Sequence, residues 1–252
     1  MGNEVWCGDG AYGWIMKELP DIAQLAGVIG DPARERMLSA LLGGSLTATD
    51  LAVRAGTGAS TASAHLKKLL AAGLVVCEVR GKWRRYQLAN ADVAHLLESL
   101  AVLAPSMKIE EEGEVSMTDL RYARSCYDHL AGQIGVAVTQ AMVRQGILQD
   151  SGTSEEFSIG PAGESWFFGM GIDLAEAKRR KRSLSRRCLD WSERQPHLAG
   201  SLGAAVLARF LDLGWLERIP GERSLVVTDA GRSGLMRCLD DGELTEILMI
   251  GR

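Results

Sequence analysis

The sequence predicts a mainly α fold with short β-hairpins (α+β), and three observations predict it. Apolar residues recur at helical spacing through most of 19–104. Within that stretch, two β-branched and aromatic runs flank a glycine turn. The second half carries an internal repeat. A chain of 252 residues has room for one large domain or two modest ones. The expected division is a leader at 1–18, a first domain at 19–104, an acidic linker at 105–116, a duplicated domain at 117–240 and a tail at 241–252. Within the duplicated domain the repeats fall at about 121–168 and 186–239.

The elements follow in chain order. The leader carries Trp6, Cys7, Tyr12 and Trp14 among glycines, and no element is assigned to it. Pro20 and Asp21 open an apolar helix through Ile22, Leu25, Ala26 and Ile29. Gly30-Asp31-Pro32 breaks it, with Asp31 as N-cap and Pro32 at the first position of the next helix. That helix carries Met37, Leu38, Leu41 and Leu42 and ends at Gly43-Gly44. Thr47 to Asp50 starts a short helix through Leu51, Ala52 and Ala55, followed by a Gly56-Thr57-Gly58 turn.

A longer helix then runs from about Ala59 to Ala72, with Ala62, Leu66, Leu69 and Leu70 on one face and Ser60, Ser63 and Lys67 on another. Two helices joined by a tight turn, the second with a polar and basic outer face, meet the requirements of a major-groove reader. Leu74 to Arg80 and Trp83 to Leu88 read as strands around Gly81-Lys82, with Arg80, Lys82, Arg84 and Arg85 crowding the tip. Cations there suit phosphate or minor-groove contact. A final helix covers Asp92 to Leu103, with Asp92 as its expected N-cap; Pro105 and the acidic run Glu110 to Glu114 follow as linker.

Net charge is −4, yet the segment from Arg54 to Leu88 holds Arg54, Lys67, Lys68, Arg80, Lys82, Arg84 and Arg85 against Glu78 alone. It is a basic island in an acidic chain. No apolar run reaches the roughly 18 residues of a membrane span, and the first twenty residues lack a basic n-region before an apolar core. The expectation is a cytoplasmic protein with no membrane partner. The five cysteines are scattered without a CxxC pair, so neither a disulfide scaffold nor a zinc ribbon is expected.

In the second half, HLAGQIGVAV from His129 returns as HLAGSLGAAV from His197. The offset of 68 holds through Gly146/Gly214, Leu148/Leu216, Ile159/Val227 and Gly163/Gly231. Each copy reads as helix, glycine turn, short strand pair and helix, in a pseudo-twofold pair. An R-x-C-x-D pattern precedes each HLAG: Arg124-Ser125-Cys126-Tyr127-Asp128 and Arg186-Arg187-Cys188-Leu189-Asp190, the second with six additional residues before its histidine. Cys126, Asp128, His129, Cys188, Asp190 and His197 are therefore candidate sensor residues for a soft metal, a metalloid or an oxidant, because nearby cations favour a reactive thiolate. The alternative is that both cysteines are small packing residues. The aromatic residues Trp166, Phe167, Phe168, Trp191 and Trp215 are expected to be mostly core, and KRRKRSLSRR from Lys178 to Arg187 a solvated helix face.

Three segments carry a family resemblance: IGDPARERMLSALLGG, LAVRAGTGASTASAHLKKLLAAGLV and VRGKWRRYQL. In this order and spacing they resemble the ArsR-type winged helix-turn-helix transcriptional regulators. The resemblance implies a winged helix-turn-helix domain that binds double-stranded DNA as a homodimer, its first and last helices forming the interface. It implies recognition-helix contacts at Ser60, Thr61, Ser63 and Lys67; Lys68, Arg80, Lys82, Arg84 and Arg85 extend the same basic surface. The duplicated half is expected as two winged-helix-like units. The family's metal positions look empty, with Asp50, Leu51, Ala52 and Val53 in the short helix and Ala94 where the last helix would need a histidine.

The expected function is a repressor released from its operator by a small organic inducer, a metalloid, a soft metal or a redox signal acting on the C-terminal half. Two other readings stand beside it. One is an enzyme or ligand-binding protein in which the winged helix is a docking or dimerisation module, and the other is an interaction scaffold. No P-loop, GxGxxG, GxSxG or HExxH occurs. Cys126, Asp128 and His129, taken as neighbours on one helix, are too close in sequence to build a separated nucleophile set. The expectation is not an enzyme.

Overall fold

In the computed structural model, which describes residues 19–81, 83–105 and 117–250, local capping sets the first helices. The leader at 1–18, nearly all of the linker and Lys82 lie outside the described residues. Helix α1 (Ile22–Ile29) starts behind Asp21, whose carboxylate accepts from the Gln24 amide at 2.8 Å. Helix α2 (Pro32–Leu41) starts behind Asp31, with Pro32 at its first turn. The buried Arg34 donates to Gly27 O at 3.0 Å and to Val28 O, so it ties α1 to α2 through carbonyls of α1.

Strand β1 (Leu46–Thr47) leads directly into α3 (Ala48–Ala55), where Thr47 and Asp50 form a reciprocal capping box. The turn 56–58 joins α3 to α4 (Ala59–Ala71), and β2 (Val75–Arg80) pairs antiparallel with β3 (Trp83–Leu88). Strand β1 was not expected. It adds to the open edge of β3, with Leu46 opposite Tyr86 and Thr47 opposite Arg85, giving the order β1-β3-β2. Two residues are too few for an alternation signal. Helix α5 (Ala91–Leu103) is capped by Asn90, which accepts from the Val93 amide at 3.0 Å. Asp92, the expected N-cap, lies one step inside the first turn. Met37, Leu38, Leu51, Leu66, Leu69 and Leu88 fill the core of this winged helix-turn-helix.

After α6 (Met117–Tyr122), two runs of elements share one order. The first is β4 (Arg124–Cys126), β5 (His129–Ala131), α7 (Gly132–Arg144), β6 (Leu148–Gln149), β7 (Ser158–Ile159) and α8 (Gly163–Gly169). Helix α9 (Leu174–Arg179) follows. The second run is β8 (Arg187–Leu189), β9 (Pro196–Leu198), α10 (Gly200–Asp212), β10 (Leu216–Arg218), β11 (Leu225–Val227) and α11 (Asp229–Leu239). Residues 242–250, expected as tail, form α12 (Gly242–Ile250), which buries Leu244 and Leu248 in the C-terminal core. The hairpin that opens each run was also unexpected, and it moves Cys126, Asp128 and His129 off a helix and onto a strand-turn-strand.

The two runs exchange contacts reciprocally. Arg124 bridges Ser224 and Arg186 bridges Glu156, and positions 156 and 224 are 68 residues apart. The Ser125 amide donates to Arg223 O at 2.8 Å and the Arg187 amide to Glu155 O at 2.8 Å. Each opening hairpin thus joins the strand pair of the other run. Gly132 and Gly200 begin α7 and α10 with φ of 78° and 76°, and a Cβ on either would lie 2.6 Å from a backbone carbonyl oxygen. Only glycine fits that approach.

Among the aromatics, Phe167 is fully buried and Trp166, Trp191 and Trp215 are partly buried, but Phe168 is exposed, which corrects its expected core role. Only Lys178 and Arg179 of the basic run lie on a helix; the rest leads into β8, and Arg187 and Arg182 are drawn into ion pairs. Among the described residues no helix is long and apolar enough to cross a membrane.

Candidate functional site

Two surfaces collect the candidate residues. The first is α4 with the β2–β3 hairpin. Ala62, Leu66 and Leu69 face the core, so Ser60, Thr61, Ser63, Lys67 and Lys68 are exposed. None of the hydroxyls caps the helix: the N-cap is Gly58, without a side-chain hydrogen bond, and Ser63 donates to Ala59 O at 2.9 Å. His65 turns inward and lies 3.4 Å from Arg34 and 3.8 Å from Asp31, a packing position. Arg84 and Arg85 are exposed on β3. Arg85 is fastened to Ser45 through its Oγ at 2.9 Å and its carbonyl, which braces the hairpin against the start of β1. Arg80 ends β2.

The second is a buried cluster where the two opening hairpins meet. Cys126 and His129 are directly opposed across β4 and β5, as Cys188 and His197 are across β8 and β9. The four side chains are buried, and one ligand atom from each lies within 4.8 Å of all the others. The sulfurs are 4.0 Å apart and the imidazole rings stack with centroids 5.1 Å apart. Each ring faces an aspartate of its own run through Nδ1: Asp128 at 3.4 Å for His129 and Asp190 at 3.5 Å for His197. Nε2 of both rings is buried without a hydrogen-bond partner, and so is Nδ1 of His197.

Each aspartate is in turn neutralised. Asp128 pairs with Arg182 at 2.6 Å. Asp190 pairs with the fully buried Arg124 at 2.8 Å and accepts from the amides of Gly132, Ser192 and Glu193. Burial opposes the charge on Asp190, but Arg124 and His197 outweigh it and hold the carboxyl well below the usual carboxylate range. Asp128 is likewise lowered: burial opposes its charge, and His129 and Arg182 overcome that. The Cys126 thiol moves the other way. Its contact with Cys188 and its burial push it far above its ordinary value. Arginine beside cysteine in the sequence suggested a reactive thiolate; the guanidinium of Arg124 instead engages Asp190 and the ring of Trp191.

The cluster also borders the N-terminal domain. A cleft of about 560 Å³ is lined by His95 on α5 and by Cys126, His129, Cys188 and Arg186. Helix α5 packs on β8, and its buried Glu98 pairs with Arg223.

Residues 31–76 match the family model described as bacterial regulatory protein, arsR family. The chain is 39% identical over 215 residues to the uncharacterized HTH-type transcriptional regulator YdfF of Bacillus subtilis, spanning 84% of this chain and 94% of that protein. The chain belongs to the arsR family of bacterial regulatory proteins. It is also 39% identical over 79 residues to the HTH-type transcriptional regulator CmtR of Mycobacterium tuberculosis, covering 31% of this chain and 67% of that one. Among solved structures, a homodimeric winged helix-turn-helix DNA-binding domain from Mycobacterium bovis is 27% identical over 38% of this chain and 87% of its own, with a TM-score of 0.32.

In this arsR-family regulator, sequence reasoning missed the partners that hold the cluster: Arg182, Glu98 and Arg223. Arg182 sat unnoticed in a run of cations. Glu98 sat on a helix whose other buried residues are apolar, and a lone buried carboxylate was the available signal.

Proposed function

We propose that this DNA-binding transcriptional regulator is a homodimeric cytoplasmic repressor that holds its operator through α4 and the β2–β3 wing and is released when a signal acts on the C-terminal half. The observation that carries the reading is the outward face of α4, where Ser60, Thr61, Ser63, Lys67 and Lys68 are exposed while the opposite face is core. In this reading Ser60, Thr61, Ser63 and Lys67 are the recognition-helix contacts, and Lys68, Arg80, Lys82, Arg84 and Arg85 contact phosphate. Alanines at 59, 62 and 64 leave few long side chains for bidentate base contacts, so phosphate neutralisation supplies most of the affinity and duplex shape part of the specificity. Exposed Ile22 on α1 and Leu103 on α5 supply the apolar surface for a second copy.

The test is a salt titration on a duplex selected from a random pool by the unmodified protein. Lys67→Ala and Arg84→Ala each weaken binding, and each lowers the slope of log K against log salt by about 0.9 for a lost phosphate contact. Unchanged affinity and slope in both variants would overturn the assignment of this face. The protein carries no catalytic role in this reading.

A further inference from the structure

We propose that Cys126, His129, Cys188 and His197 bind one divalent transition-metal ion of the zinc class, each hairpin supplying one thiolate and one imidazole. Two sulfurs on a tetrahedral ion with bonds of about 2.3 Å stand about 3.8 Å apart. The observed separation is 4.0 Å, so the hairpins already hold the sulfurs at ligand spacing. The imidazoles offer the remaining donors. Nδ1 of His129 is engaged by Asp128, which leaves its buried, unpartnered Nε2 as donor; on His197, Nδ1 lies 3.5 Å from Asp190 without a hydrogen bond, and its Nε2 is buried and unpartnered as well. A carboxylate behind a ligating imidazole is the usual outer partner, since it sets the tautomer and the ring orientation.

The charges also balance. In the loaded site both thiols are thiolates and both imidazoles neutral, the protons they give up going to solvent, so the 2+ ion and its four ligands together carry no net charge. The outer layer is neutral as well, because Arg182 answers Asp128 and Arg124 answers Asp190. Thiolate and imidazole select zinc, cobalt or cadmium over magnesium or calcium. The cleft beside α5, lined by Cys126, His129 and Cys188, is the entry path. Each run supplies one cysteine and one histidine, so the ion ties the two runs together next to α5. Its use as the releasing signal rests on the function proposed above; the ion site itself does not.

The test uses the reduced full-length protein, stripped with EDTA and titrated with Co²⁺. One Co²⁺ per chain, with tetrahedral d–d bands and sulfur-to-metal charge transfer displaced by Zn²⁺, is the expected result. Cys126→Ser and His197→Gln remove or alter that spectrum while circular dichroism stays at the wild-type level, and Asp128→Asn weakens Co²⁺ binding 10- to 100-fold. An octahedral spectrum, no stoichiometric uptake, or a spectrum indifferent to these changes overturns the site. If Co²⁺ binds as expected but DNA affinity is the same with and without Zn²⁺, the site stands and the signal reading falls. If DNA release persists in the variants that no longer bind metal, the ion is excluded as the signal.

Discussion

Gly132 shows how much a single residue can fix. It begins α7 at a positive φ, donates its amide to Asp190 at 2.8 Å, and leaves no room for a Cβ against Arg121 O. Gly132→Ala therefore combines left-handed strain with a clash against backbone, and costs more than about 2 kcal/mol of stability by denaturant unfolding. Gly169 is the control: it is exposed at the end of α8, and a Cβ there meets nothing within 4 Å. Gly169→Ala is expected to stabilise by about 0.5–1 kcal/mol. Equal effects at the two positions would contradict the packing described. The glycines were legible as a repeat, since 132 and 200 recur at a fixed offset. Their reason was not, because the carbonyls they meet, Arg121 O and Ser183 O, lie in preceding segments whose approach no local pattern records.

At the scale of elements, α5 joins two tasks. Its buried side carries Ala94, Leu97 and Glu98, and its outer side exposes Leu100 and Leu103. Leu103→Glu places a charge on the proposed apolar interface, so sedimentation at micromolar concentration is expected to show a shift from dimer toward monomer while the fold is retained. A protein that sediments unchanged would remove α5 from the interface. The long elements were readable: α2, α3, α4, β2, β3 and α5 fall within a residue or two of their expected limits, because caps and periodicity agree there. The short ones were not. Strands β4 and β5 have three residues each and turn through Tyr127 at φ 61°, whereas such turns are ordinarily announced by Gly or Asn. Of the candidate sensor residues, Cys126, His129, Cys188 and His197 do come together, but on hairpins rather than on a helix. Their convergence depends on two hairpins meeting across 62 residues of chain, which no local pattern records.

At the scale of the whole molecule, the chain is a winged helix-turn-helix joined to two runs of elements whose opening hairpins meet against α5. The same helix packs on β8 and carries Glu98, which pairs with Arg223 and feels the charge of Arg124, the partner of Asp190. This gives the buried cluster a physical connection to the DNA-binding half, through an element that also bears the proposed dimer surface. Binding of an ion and binding of DNA are then coupled in both directions by the same factor. The most direct measurement is the affinity of the full-length protein for its selected duplex, by fluorescence anisotropy, with Zn²⁺ bound and with the metal stripped. The prediction is weaker binding by about 5- to 150-fold in the Zn²⁺ form, with Zn²⁺ affinity lowered by the same factor on DNA. Identical duplex affinity in the two forms would contradict it.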